Sequence, residues 1–237
     1  MIRIPSIFKA SNSAILDREK IADFYLRGNG IEIGALYLPL KAPTEARVTY
    51  VDRMTVAQLR EHYPEYPNKD YVTPDVIDDG ETLSSFKSET QDFVIANHFI
   101  EHCQNPIGTI ENFLRVLKTG GVLYLAIPDK RYTFDLDREP TPLDHLIRDY
   151  KEGPAWSRRQ HFEDWVRLVQ KVEDETEAQK RIAHYLEIDY SIHYHVWTQV
   201  ELFELITFLR RDLPFPFELQ LFFAQKDECI LILKKTA

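Results

Sequence analysis

The chain has 237 residues, 44% of them hydrophobic, and a formal net charge of -9. That length fits one large domain or one domain with a sizeable insertion, and the apolar share suffices for a packed core. The negative balance argues against bulk DNA or RNA binding, which gains affinity by placing cations on phosphates. No run reaches the roughly 18 apolar residues needed to cross a bilayer. The opening MIRIPSIFKASNSA lacks the apolar stretch of a signal peptide. The two cysteines, Cys103 and Cys229, stand in neither CxxC nor metal-ligand spacing. A cytoplasmic protein without an integral membrane segment is expected.

In chain order, SAILDREKIADFYLRG predicts a helix capped by Ser13, with apolar positions at Ile15, Leu16, Ile21, Phe24 and Tyr25 and an end at Gly28. GIEIG predicts a first strand and RVTYVDR a second that ends at Asp52. TVAQLREHY predicts a helix stopped before Pro64. YVTPDVIDDG predicts a third strand running into the acids Asp78 and Asp79, and QDFVIANHF a fourth. PIGTIENFLRVLKTGG predicts a helix with proline at its start and glycines at its end, and VLYLAIP a fifth strand. From about Lys130 a stretch rich in charge and aromatic residues interrupts the alternation up to Trp197. TQVELFELITFLRR then predicts a helix with Thr198 as N-cap and Glu201 at the capping-box offset. FPFELQLFFAQ and ECILILKK predict a closing antiparallel hairpin turned through QKDE.

Apolar strands alternating with amphipathic helices indicate an α/β fold with a mostly parallel sheet covered on both faces. Ligands in such sheets sit beyond the carboxyl ends of the strands. Those ends carry Glu32 and Gly34, Asp52, Asp79, Asn97 and His98, and Asp129. Any one of them can be a turn former. As a set they point to a ligand site, because an unpaired buried carboxylate is expensive. The first loop, IEIGALYLPL, has one glycine where a dinucleotide site needs G-x-G-x-x-G to meet a pyrophosphate. This argues against NAD. With a single glycine, Ala35 and Leu36 are expected in conformations open to L-residues.

The blocks IEIGAL, VTYVDR, DDGETL, FVIANHFIEHCQNP and FLRVLKTGGVLYLAIPDKRYTFD resemble those of class I S-adenosylmethionine-dependent methyltransferases. They are similar to the bacterial group associated with sugar and polysaccharide biosynthesis. The resemblance covers about Gly30 to Pro128 and the tail from Thr198. It implies a doubly wound, seven-stranded, Rossmann-like sheet with the last strand antiparallel. It also implies a single domain over 1–237 with a helical cap inserted at 130–197. The implied cofactor is S-adenosyl-L-methionine, with S-adenosyl-L-homocysteine as product. The resemblance places Glu32 and Gly34 at the first motif and Asp52 on the ribose hydroxyls. Arg53 and Met54 then lie beside the adenine, Asp79 with Gly80 lies at its amino group, and Asn97 and His98 lie near the sulfonium.

Methyl transfer needs alignment, and a hydroxyl acceptor also needs a base. His98, His195 and His102 are the candidate bases, with His102 equally a brace for the next helix. Lys130, Arg131 and Tyr132 are candidates for an acceptor's phosphate or carboxylate, against the alternative that the cations pair with nearby acids. His145, Arg159, His161 and His193 are further candidates in the cap. His193 and His195 alternate, so with Asp189 they offer a metal set. That set is imidazole-rich where magnesium prefers oxygen, and no metal is expected. A small-molecule acceptor is expected, with O-methylation of a sugar, sugar nucleotide or glycan end as the leading reaction. The alternatives are N-methylation of a small, phosphorylated or plain, amine and a non-catalytic binding module in a biosynthetic complex. Oligomeric state is left open by the pattern.

Overall fold

β4 (Gln91–Asn97) shows how the core is built. Its residues alternate between two sides, and both sides are dry. Val94 and Ala96 join a core with α3 (Pro106–Val116) and α7 (Gln199–Arg211). Phe93 and Ile95 join a second core with α1 (Arg18–Tyr25) on the opposite face. A strand buried on both faces needs helices on both faces, and this is the doubly wound arrangement. The computed structural model describes residues 16–225 and 227–237.

The sheet has seven strands in the order β3-β2-β1-β4-β5-β7-β6. β1 (Gly28–Ile33), β2 (Ala46–Asp52), β3 (Val76–Ile77), β4 and β5 (Leu117–Pro128) run parallel. β7 (Glu228–Lys235) is antiparallel to both β5 and β6 (Phe217–Ala224). The hairpin therefore inserts the last strand beside β5, as expected. α2 (Val56–His62) follows β2, and its N-cap Thr55 forms a full capping box with Gln58. No helix among the described residues is long and apolar enough to cross a membrane.

Three local readings change. The first helix starts later than expected: Asp17 caps it through Lys20 N, while Ser13 and Ile15 lie outside the described residues. Leu26, not Gly28, closes it, and Gly28 opens β1 at φ 82°. The third strand is two residues long, because Pro74 has no N–H to donate and the chain turns at once into Asp78 and Asp79. β5 starts at Leu117, so Gly120 and Gly121 lie within the strand rather than at the helix end.

Between β5 and α7 come α4 (Leu143–Glu152), α5 (Arg158–Asp164), a π-turn over Trp165–Val169 and α6 (Glu175–Glu187). Phe162, Val166, Ala178, Ile182, Ile192 and Tyr194 give this segment a core of its own. The chain re-enters the sheet by a bridge from Trp197 to Asp129, and α7 begins two residues later under the expected Thr198–Glu201 capping box. Thr198→Ala removes the side-chain acceptor for the first turn of α7. It should cost about 1 kcal/mol of unfolding free energy, measured by denaturant titration. A loss under a few tenths of that would mean the box adds nothing.

Candidate active site

A cavity of about 360 Å³ lies at the carboxyl ends of the parallel strands. Its floor comes from the loops after them: Gly34 after β1, Asp52, Arg53 and Met54 at the end of β2, Asp79 and Gly80 after β3, and His98 after β4. Seven of the residues expected at a cofactor thus line one space. Its roof comes from the segment between β5 and α7, through Asp189, Tyr190, Ser191 and Tyr194. Sequence reasoning missed Tyr190, Ser191 and Tyr194 and weighed Asp189 only as a metal ligand, since nothing in a loop's composition says which side chains return to the core.

The single-glycine loop is explained by its backbone. Gly34 has φ 64° and Leu36 has φ 50°. Leu36 therefore occupies the left-handed region, contrary to the expectation for this loop. The Leu36 carbonyl accepts from Val72 N at 2.6 Å, which helps hold the strained turn. Gly80 is required by close approach. A Cβ there would stand 2.5 Å from Ile33 Cγ2 and 2.5 Å from Phe99 Cζ.

Glu32 does not line the cavity. Its Oε1 accepts from Leu40 N at 2.8 Å, tying down the far end of the loop, while Oε2 is buried without a partner. Burial pushes this carboxyl up to about 7, only partly offset by the Leu40 N–H. Burial also raises Asp52, against the pull of the Met54 N–H that Oδ1 accepts at 3.0 Å. Arg53 reaches across to the roof: Nη1 donates to Asp189 Oδ2 at 2.9 Å, and Arg158 pairs with the other oxygen at 2.6 Å. Glu81, another residue the sequence reading passed over, accepts from Gln104 N and Asn105 N at 3.0 and 3.1 Å and so fixes the entry to α3.

His98 stands on the cavity wall at φ 49°. Its Nε2 lies 3.1 Å from Glu228 Oε2 and 2.6 Å from Arg18 Nη2. Arg18 also pairs with Glu228. Burial would raise the Glu228 carboxyl, but hydrogen bonds from His98 and Arg18 outweigh it and hold it at about 2. Glu228 and Arg18 come from the two ends of the described chain, so no local motif signals them. His102 also lines the cavity, and its Nδ1 lies 2.9 Å from the Ile192 carbonyl, which fixes the proton on that nitrogen. Burial and neighbouring His193 hold this imidazole down at about 3.

The remaining expected site residues do not line the cavity. Asn97 ends β4 with both amide atoms buried and unpartnered. Lys130 is buried and donates to Leu136 O at 2.9 Å. Arg131 pairs with Asp129 at 2.7 Å, and Tyr132 is exposed beside it. Arg159 pairs with Glu163 and Gln179. His193 is buried against Asp135, 2.6 Å away. His195 is fully buried among His145, His161 and Trp197. His193 and His195 do not converge on Asp189, which is taken up by the two arginines.

Residues 28–125 match the family described as "Methyltransferase domain". No curated protein matches the chain. Among solved structures, the chain is similar to one from Rhodobacter sphaeroides described as "Zn-dependent Alcohol Dehydrogenases". Identity is 12% and the TM-score 0.53, over 93% of this chain and 90% of that one. It is also similar to a SAM-dependent methyltransferase from Methanosarcina mazei (21% identity, TM-score 0.49, 93% and 99% covered). A third is the CurJ carbon methyltransferase (14% identity, TM-score 0.47, 90% of this chain), of which the chain spans about half, 49%. The first of these likenesses shows the shared fold.

Residues 28–125 thus match a methyltransferase domain set on a doubly wound sheet, and S-adenosylmethionine is the cofactor that this match implies. The cavity suits that molecule. Two glycines, Gly34 and Gly80, and four acids, Asp52, Asp79, Glu81 and Asp189, line the cavity, and its first loop has a single glycine.

Glu32 yields a pH prediction. A carboxyl at about 7 in the fold and at its ordinary value when unfolded contributes stability below that ordinary value, lost as pH rises through 7. Glu32→Gln keeps an acceptor for Leu40 N and removes the charge. The variant should gain on the wild type as pH rises from 5 to 8, by up to roughly 3 kcal/mol. Thermal unfolding of both proteins across that range measures it, and a constant difference would refute the assignment.

Proposed function

We propose that this methyltransferase transfers its methyl group to a hydroxyl of a small acceptor, a sugar, sugar nucleotide or glycan end, with His98 as the proton acceptor. The observation that carries the reading is the placement of His98: it is on the cavity wall, with a buried carboxylate 3.1 Å from its Nε2. A base that becomes cationic when it takes a proton is favoured by a fixed negative partner; Glu228 supplies one, shared with Arg18, whose Nη2 lies 2.6 Å from the same Nε2 and leaves Nδ1 as the nitrogen that takes the proton. An amine acceptor needs only its lone pair and leaves this arrangement without a task. The amine reading also looked to Lys130 and Arg131 for a phosphate, and both are engaged elsewhere.

S-adenosylmethionine supplies a methyl carbon already activated by its sulfonium. The chain's residues hold and align it. Asp52 receives the ribose hydroxyls, Asp79 the adenine amino group, and Arg53 and Met54 flank the ring. Gly34 and Gly80 admit the cofactor's bulk, and Glu32 secures the loop from behind. His102 serves as a brace: its proton is fixed toward Ile192, and an imidazole held at about 3 is a weak base at neutral pH. The segment 130–197 forms the acceptor side, where Tyr190 and Tyr194 line the cavity.

Two variants test the assignment. Asp52→Ala should weaken binding of S-adenosylhomocysteine by about 10–100-fold, the worth of hydrogen bonds to a charged group, read by calorimetry; an unchanged affinity in a folded variant rules out Asp52 as the ribose anchor. His98→Ala should lower kcat by about 100-fold or more while cofactor affinity holds. Product formation over a panel of sugar nucleotides and small amines identifies the acceptor. Turnover of amines alone, or full activity in His98→Ala, would overturn the hydroxyl reading.

A further inference from the structure

Behind the roof, away from the cavity, lies a second cluster that methyl transfer does not use. His145 and Asp149 stand four residues apart on α4, which puts both on one face of the helix. His161 comes from α5 and His195 from the segment that re-enters the sheet. One side-chain nitrogen or oxygen of each lies within 4.8 Å of those of the other three. His145 Nε2 is 3.2 Å from His161 Nε2 and 3.2 Å from Asp149 Oδ2, and His195 Nε2 is 3.6 Å from Asp149 Oδ2. Four ligands on a tetrahedral zinc ion, with bonds near 2.0–2.1 Å, stand about 3.3 Å apart.

The charge balance also calls for a cation. Asp149 is fully buried; Oδ1 accepts from Ser157 Oγ at 3.2 Å, and Oδ2 has no hydrogen-bond partner. His195 is fully buried; its Nε2, which faces Asp149, also lies 3.4 Å from the Gln104 carbonyl, and its Nδ1 has no partner. No arginine or lysine among the described residues pairs with Asp149; the adjacent Arg148 points to Glu152 and Trp156. Three imidazoles converging on one buried carboxylate are a donor set that binds a metal through neutral ring nitrogens.

We propose that His145, Asp149, His161 and His195 bind one divalent transition-metal ion of the zinc class, which clasps α4, α5 and the re-entering segment into one unit. Three imidazoles and one carboxylate select zinc, cobalt or nickel over magnesium or calcium, which prefer all-oxygen sets. Four protein ligands and a dry setting mark a structural site rather than one with an open position for substrate. The three histidines expected at the acceptor then act in holding the roof together.

The experiment uses the full chain purified without a polyhistidine tag or chelator. Elemental analysis should find about one zinc-class ion per chain. Metal-stripped protein should take up Zn2+ in competition with a chromophoric chelator, and Co2+ should give the intense visible bands of a four-coordinate site. Asp149→Asn and His161→Gln should each weaken Zn2+ binding by more than about 100-fold, while His184→Gln, on the exposed face of α6, should not. Wild-type protein that arrives metal-free and, once stripped, takes up neither Zn2+ nor Co2+ at micromolar concentration overturns the proposal, whatever the variants do. So does uptake that both ligand variants retain in full.

Discussion

The carbonyl of Glu101 accepts two consecutive N–H groups, Tyr194 N at 2.8 Å and His195 N at 3.2 Å. This small joint, in the 3-10 turn between β4 and α3, fixes where the long inserted segment meets the sheet. On one side of it Tyr194 becomes part of the cavity roof. On the other, His195 is delivered to the histidine cluster. Arg138 reinforces the joint from the far side: its two terminal nitrogens donate to His193 O at 2.7 Å and Tyr194 O at 3.0 Å. Arg138 is itself buried and paired with Asp135, so the re-entering backbone is gripped by fully satisfied charge. The roof sits over the cofactor floor because these bonds leave it no other register.

The floor was legible in the sequence because strand chemistry is periodic. Phe93, Val94, Ile95 and Ala96 announce a doubly buried strand, and the polar residues after such strands mark its open end. Four of the seven expected residues at the floor, Gly34, Asp52, Asp79 and His98, follow from that rule; Arg53, Met54 and Gly80 come from the family resemblance. The roof was not legible. Asp189, Tyr190 and Ser191 enter the cavity only because Glu101 and Arg138 set the path of the chain, and those contacts span about 90 and 55 positions. Periodicity carries no information at that range. Glu228 and Arg18 illustrate the same limit, being 210 positions apart and joined at His98.

The first loop shows how a rule can be broken at a tolerable cost. A second glycine would suit the turn at Leu36, whose φ of 50° costs an L-residue on the order of 1 kcal/mol. Leu36 repays part of that by lining the cavity and by accepting from Val72 N. Glu32, directly beneath, holds Leu40 N. The loop is thus clamped at its middle and at its end. Missing glycines are no sign of decay here, since the backbone conformation they would have eased is present without them.

Buried carboxylates reveal how differently the two halves of the molecule settle charge. Glu228 is matched by Arg18 and His98, and Asp135 by Arg138 and His193. Glu101 takes the other route: it is fully buried with neither oxygen hydrogen-bonded, and that burial raises its carboxyl. Asp149 follows neither course. It has one hydroxyl donor and three imidazoles within reach. Replacing an uncompensated buried charge with an apolar residue is cheap in a helix such as α4, and nothing in the packing of α4 against the core, which uses Leu146, requires an acid at 149. A carboxylate retained there, four residues from His145 and facing His161 and His195, is accounted for by a cation shared among the four.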